Sequence, residues 1–186
     1  MRLLIVTKSI LTVLCMKIPA GFSQNKELPR YERENSNKNR VIGDEALTKK
    51  FNATARLVQG YQMVLDNGRS HGVLVDQPTD ESGTNLGPTP LELCVMSHAG
   101  CYVTICVLTA KRMRIPLKGL TVNVEAVKTD AAGTIAEETF DIAFKADAPA
   151  DRIQRLHEVT LKNCPVGILF EKAGVKISYN LKASKE

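Results

Sequence analysis

The sequence predicts an α+β fold in which antiparallel sheets pack around one long, buried central helix. Three observations carry that expectation. Residues Gly87 to Arg112, GPTPLELCVMSHAGCYVTICVLTAKR, are almost unbroken apolar and small residues between a Gly-Pro-Thr-Pro opening and a basic close. A helix that is apolar on all sides belongs inside a fold. Further on, Leu120, Val122, Val124 and Ala126 alternate with polar residues, and so do Phe140, Ile142 and Phe144. That period of two reads as an antiparallel hairpin with one buried face. Finally, strands and helices come in runs rather than in strict alternation, which is the α+β order.

The elements follow in turn. Residues 1–24 read as a signal peptide, with Arg2 as the positive start, an apolar run from Ser9 to Met16, and small residues from Ala20 to Gln24. The expected location is therefore periplasmic or otherwise exported; the alternative is a cytoplasmic protein with an N-terminal extension. That apolar run is too short to span a bilayer. Residues 25–45 are polar with Pro29 and have no apolar period, as in a disordered linker. Residues 46–186 form the domain.

Within it, Ala53–Val58, Tyr61–Leu65 and His71–Val75 read as short strands, with Gly60 and the Asp66-Asn-Gly68 turn between them. A Pro- and Gly-rich loop from Asp76 delivers the chain to Pro90, which suits a first helical turn because its missing N–H is no loss there. Pro116 blocks continuation of the helix. After the predicted hairpin, Asp147 to Asp151 offer caps for an amphipathic helix that buries Ile153, Leu156, Val159 and Thr160. Asn163-Cys-Pro165 interrupts it, a short helix runs over Val166–Ala173, and Val175–Leu181 alternates as a last strand.

Composition narrows the function. The 186 residues are 44% apolar and carry a net charge of +5, yet only 5% are aromatic and none is Trp. Basic residues without stacking aromatics argue against a nucleic-acid binder and for a solvated basic surface. Five cysteines occur, at positions 15, 94, 101, 106 and 164, with no Cys-x-x-Cys pair. A thioredoxin motif or zinc ribbon is therefore not expected. Cys94, Cys101 and Cys106 share one helix, so a long-range partner for any of them in the domain is Cys164. Cys94, His98 and Cys101 share a helical face at i, i+4 and i+7. With Cys164 they could form a Cys₃His metal site. The alternative makes Cys94 a small packed hydrophobe and His98 either a packed or a tuning histidine. Cys106 lies about 140° round the helix from Cys101, so it reads as core. His71 and His157 read as surface residues.

At four motifs the sequence resembles the OsmC/Ohr family of osmotically inducible and organic hydroperoxide resistance proteins. These are GPTPLEL, then Ala99-Gly100-Cys101 nine residues after the second proline, the Arg114-Ile-Pro116 turn, and Asn163-Cys-Pro-Val166. The resemblance spans Thr54 to Leu181 and implies an OsmC-like fold, an intertwined homodimer, and active sites near the subunit interface. It also implies a cofactor-free hydroperoxide reductase reset by an external dithiol, with Cys101 peroxidatic and Cys164 resolving. Cys164 precedes a short helix, whose unpaired N–H groups favour a thiolate. An apolar helix disfavours one, so Cys101 needs a nearby cation. The well-studied peroxidases of the family draw an Arg from an early strand turn, and Arg56 is the candidate here. They also place a Glu directly after the helix-opening Pro. Here that slot is Leu91 and Glu92 comes one later, as in the broader OsmC-like group. The alternative reading is a non-catalytic protein of this fold that binds a small ligand in the apolar dimer cleft.

Overall fold

The computed structural model describes residues 49–185. The expected signal peptide, the linker and Cys15 lie outside the described residues. Among these residues are two three-stranded sheets and three α-helices. The first sheet is a meander of β1 (Thr54–Gln59), β2 (Gln62–Asp66) and β3 (Gly72–Val75), antiparallel throughout. The central helix α1 spans Pro90–Met113. It is followed by the long hairpin of β4 (Leu117–Thr129) and β5 (Thr134–Ala146), by α2 (Ala150–Asn163) and α3 (Pro165–Lys172), and by β6 (Lys176–Ser184).

The second sheet departs from the all-antiparallel expectation. Strand β6 pairs with β5 in parallel, from Glu137 opposite Lys176 to Lys145 opposite Ser184. The physical reason is the connection: two helices intervene, and such a crossover returns the chain to the same end of the sheet. The β5 residues Phe140, Ile142 and Phe144 are buried, with Leu120, Val122 and Val124 of β4 packed against the same core. Tyr102, Cys106 and Ala110 of α1 and Ile153 and Leu156 of α2 complete it.

Local chemistry sets the helix ends. Thr89 and Glu92 form a capping box at the start of α1: the Thr89 side chain accepts from the Glu92 N–H, and Glu92 accepts from the Thr89 N–H. Two N–H groups with no helical partner are thereby satisfied. Arg114, in the left-handed conformation at φ 53°, closes the helix. Helix α2 has Pro149 at its N-cap position and no side-chain cap, so none of the aspartates expected to cap it does so. Its buried face also differs from expectation, because His157 is buried where a surface residue was expected, while Val159 is only partly covered.

The central helix is less enclosed than its composition predicts. Its buried residues are His98, Tyr102, Cys106, Thr109 and Ala110, a single stripe, whereas Met96 is 56% and Leu108 46% exposed. It is long and apolar enough to cross a membrane by length and composition alone. Here it packs against β4, α2 and α3. The first sheet is barer still: every residue of β1 is exposed, Leu57 at 72%.

Candidate active site

The site forms where α1 passes the junction of α2 and α3. Pro165 cannot continue α2, because its ring removes an N–H and clashes with the preceding turn. The break makes Cys164 at once the last cap of α2 and the first cap of α3. Its side chain turns back over the new helix and accepts a hydrogen bond from the Gly167 N–H at 3.4 Å. That turn aims it at α1, and its Sγ stands 3.1 Å from Cys101 Sγ. Both are free thiols; Cys101 is half-buried and Cys164 is 1% exposed.

The helix N-terminus does not by itself activate Cys164. Burial pushes its thiol up to about 12, and the hydrogen bond to Cys101 adds to this. The N–H groups of Gly167 and Val166 pull the other way and are outweighed. This corrects the expectation that the position before α3 favours a thiolate. A thiol of such low acidity needs a base when it reacts.

Behind the sulfurs lies a pair that the motifs did not reveal. His98 Nδ1 meets Glu138 Oε2 at 2.7 Å, with both side chains essentially closed to solvent. The imidazole is held edge-on to Phe140 and stacked on Phe170, at centroid distances of 4.6 and 4.9 Å. Burial raises the Glu138 carboxyl above its ordinary range, opposed by the hydrogen bond from His98. Glu138 Oε1 has no hydrogen-bond partner. A sequence signal for Glu138 did exist: it is in phase with Phe140, Ile142 and Phe144, so a period of two places a carboxylate on the core face of β5.

A second buried histidine, His157 of α2, meets Tyr102, which lies one turn along α1 from His98. Its Nδ1 is 2.7 Å from the Tyr102 hydroxyl. Burial holds that phenol protonated. Burial also lowers the His157 value below the ordinary 6.5.

The remaining candidates sit apart from the sulfurs. Glu92 is engaged in the capping box, about 13 Å along the helix axis from Cys101 at the usual rise per residue. It also lines an open cleft of ≈ 550 Å³ with Leu86, Val95, Met96 and Ala126. Arg56 is on the bare first sheet, paired with Asp66. Cys94 is exposed rather than packed, and Cys106 is buried, its thiol pushed up to about 11 by burial. The Cys₃His arrangement does not form: His98 turns to Glu138, and no group of three metal-ligating side chains occurs among the described residues.

Comparison with known proteins agrees with this architecture. No curated protein sequence matches. Among solved structures, an OsmC-like protein from Mycoplasma pneumoniae superposes with a TM-score of 0.65 at 20% identity, covering 73% of this chain and 97% of that one. An organic hydroperoxide resistance protein from Legionella pneumophila gives 0.56 at 13% identity, covering 73% and 97%. The organic hydroperoxide resistance protein OhrB of Bacillus subtilis gives 0.53 at 19%, covering 72% and 98%. These likenesses establish the fold. The profile of the OsmC family, described as OsmC-like protein, matches residues 83–180, more than half the chain and the whole stretch from α1 into β6. With two sheets about a central helix and that match, the chain belongs to the OsmC-like family.

Proposed function

We propose that this protein is a thiol-dependent reductase of organic hydroperoxides, with Cys101 and Cys164 as its redox pair. The observation that carries the reading is the 3.1 Å separation of two free sulfurs that are 63 residues apart in the chain. The division of labour follows exposure. Cys101 is the more accessible sulfur, so it meets the peroxide; Cys164 is sheltered and waits for the oxidised partner.

In the first step the Cys101 thiolate attacks one peroxide oxygen. The O–O bond breaks, the alkoxide leaves and takes a proton, and Cys101 becomes a sulfenic acid. In the second, Cys164 gives up its proton and attacks that sulfur. The S–S bond forms, the S–O bond breaks, and hydroxide leaves to become water. An external dithiol then exchanges with the disulfide and restores two thiols. The organic hydroperoxide resistance proteins of the same fold support the substrate class.

The uncovered face of α1 and the bare first sheet support a homodimer, since apolar surface of this extent usually marks an interface. In that assembly a partner's first sheet would bring a cation such as Arg56 towards the cysteine pair. One observation favours a second reading: the cleft beside Glu92 and Met96 is mostly apolar and of ligand size, as a non-catalytic binding protein would need.

Thiol titration before and after one equivalent of tert-butyl hydroperoxide separates the two. The reductase loses two thiols per chain and yields a peptide joining Cys101 to Cys164, and Cys101→Ser consumes no peroxide. An unchanged thiol count in the wild type would leave the binding protein as the reading.

A further inference from the structure

We infer that His98, oriented by Glu138, takes the proton from Cys164 when the disulfide closes and hands it to the departing hydroxide. The inference rests on the redox reading above and adds a proton path to it. Gly167 supplies the first observation. A β-carbon there would stand 3.0 Å from His98 Nε2 and 3.4 Å from Cys164 Sγ. The imidazole edge and the resolving sulfur therefore border the same small gap, one that only a glycine in the first turn of α3 leaves open.

The second observation is the hydrogen bond itself: when Nδ1–H donates to the Glu138 carboxylate, the lone pair is left on Nε2, the nitrogen that borders that gap. The two phenylalanine contacts hold the ring in this plane. A nucleophile, a base and a carboxylate that orients the base recur wherever a weak thiol or hydroxyl must be activated.

The third is the unpartnered oxygen of Glu138. A buried carboxylate is costly to maintain unpaired, and the His98 ring is the hydrogen-bond partner that offsets that cost, so the pair keeps its geometry while a proton passes through Nε2. The titratable groups about the ring include Glu138 from β5, Cys164 from the α2–α3 junction, Cys94, Cys101 and Tyr102 one turn away on α1, and Tyr179 of β6 beyond Phe140.

The step balances. As the S–S bond forms, the Cys164 proton moves to Nε2. As the Cys101 S–O bond breaks, the same proton joins the hydroxide to give water, and His98 returns to its starting form. The hydroperoxide is the oxidant, and nothing else is consumed.

Rapid mixing with tert-butyl hydroperoxide tests the path by following sulfenic acid and disulfide separately across pH. In His98→Gln the sulfenic acid forms as in the wild type and accumulates, while disulfide closure slows by about 100-fold, the usual contribution of a positioned base. The closure rate of that variant then climbs with pH without levelling, because only the thiolate fraction reacts. Glu138→Gln slows closure by less and displaces its pH profile, while the first step is unaffected. Wild-type closure rates and an unchanged pH profile in both variants would overturn the proton path. If His98→Gln does not fold, Glu138→Gln decides by the same readouts. A wild-type protein that never links its sulfurs would instead overturn the redox reading itself, and the path with it.

Discussion

The two faces of α1 are in opposite circumstances. One carries His98, Tyr102, Cys106, Thr109 and Ala110, all buried, and two of these are hydrogen-bonded to side chains from β5 and α2. The other carries Met96, Gly100, Thr104 and Leu108, all exposed. The same contrast separates the sheets: β5 alternates strictly between buried and exposed along its second half, while β1 is bare. Apolar character alone did not decide which face the chain buries on itself. His98 and Tyr102 mark the self-buried face, because each has a side-chain partner from a distant element of this chain. Cys101 lies between the two faces, where a sheltered partner sulfur and an accessible approach can coexist.

Three changes probe that contrast, from the largest expected effect on folding to the smallest. Tyr102→Ala removes a fully buried ring and leaves His157 Nδ1 without its hydrogen-bond partner. Chemical denaturation should show a loss of about 3–5 kcal/mol, the usual cost of truncating a buried aromatic. A loss below about 1 kcal/mol, typical of surface sites, would mean that this face is not the core.

Acid should act on the same face more gently. Burial depresses His157, so below its ordinary value of 6.5 the unfolded chain binds a proton that the folded chain refuses. The stability tied to this group is present above that pH and is lost as pH falls through the folded value. Melting temperatures measured between pH 7.5 and pH 5 should decline, and His157→Gln should flatten the decline. An unaltered slope in the variant would show that other groups govern it.

On the opposite face, Leu108→Asp should change the folding stability of the single chain by only about 0.5 kcal/mol, the usual scale at an exposed position. Its effect should appear in sedimentation, as a fall from two chains to one. A wild-type protein that already sediments as one chain would break the comparison, because the bare face would then be a true surface.

Much of the fold was legible in the residues. Pro90 announces the start of α1, Pro116 its limit, and the alternation about Val122 and Ile142 the hairpin. These are local rules, satisfied by neighbours in the chain. Reading failed where a partner is distant. His157 looked like a surface residue because its hydroxyl partner is 55 positions away. Glu138 passed unnoticed because a carboxylate is expected on the solvent face, and only the packed histidine explains its burial. The parallel pairing of β6 depended on which side of β5 the two helices would return.

What the sequence determined by itself was the set of elements, their order, and the motifs holding Cys101 and Cys164, since periodicity, caps and proline breaks act over a few residues. The tertiary structure alone decided that the two sulfurs stand 3.1 Å apart and that a histidine–glutamate pair lies behind them. Such meetings depend on the angle at which α3 leaves the Pro165 break and on how α1 lies across β5. No neighbour along the chain fixes either; the packing of the whole core does.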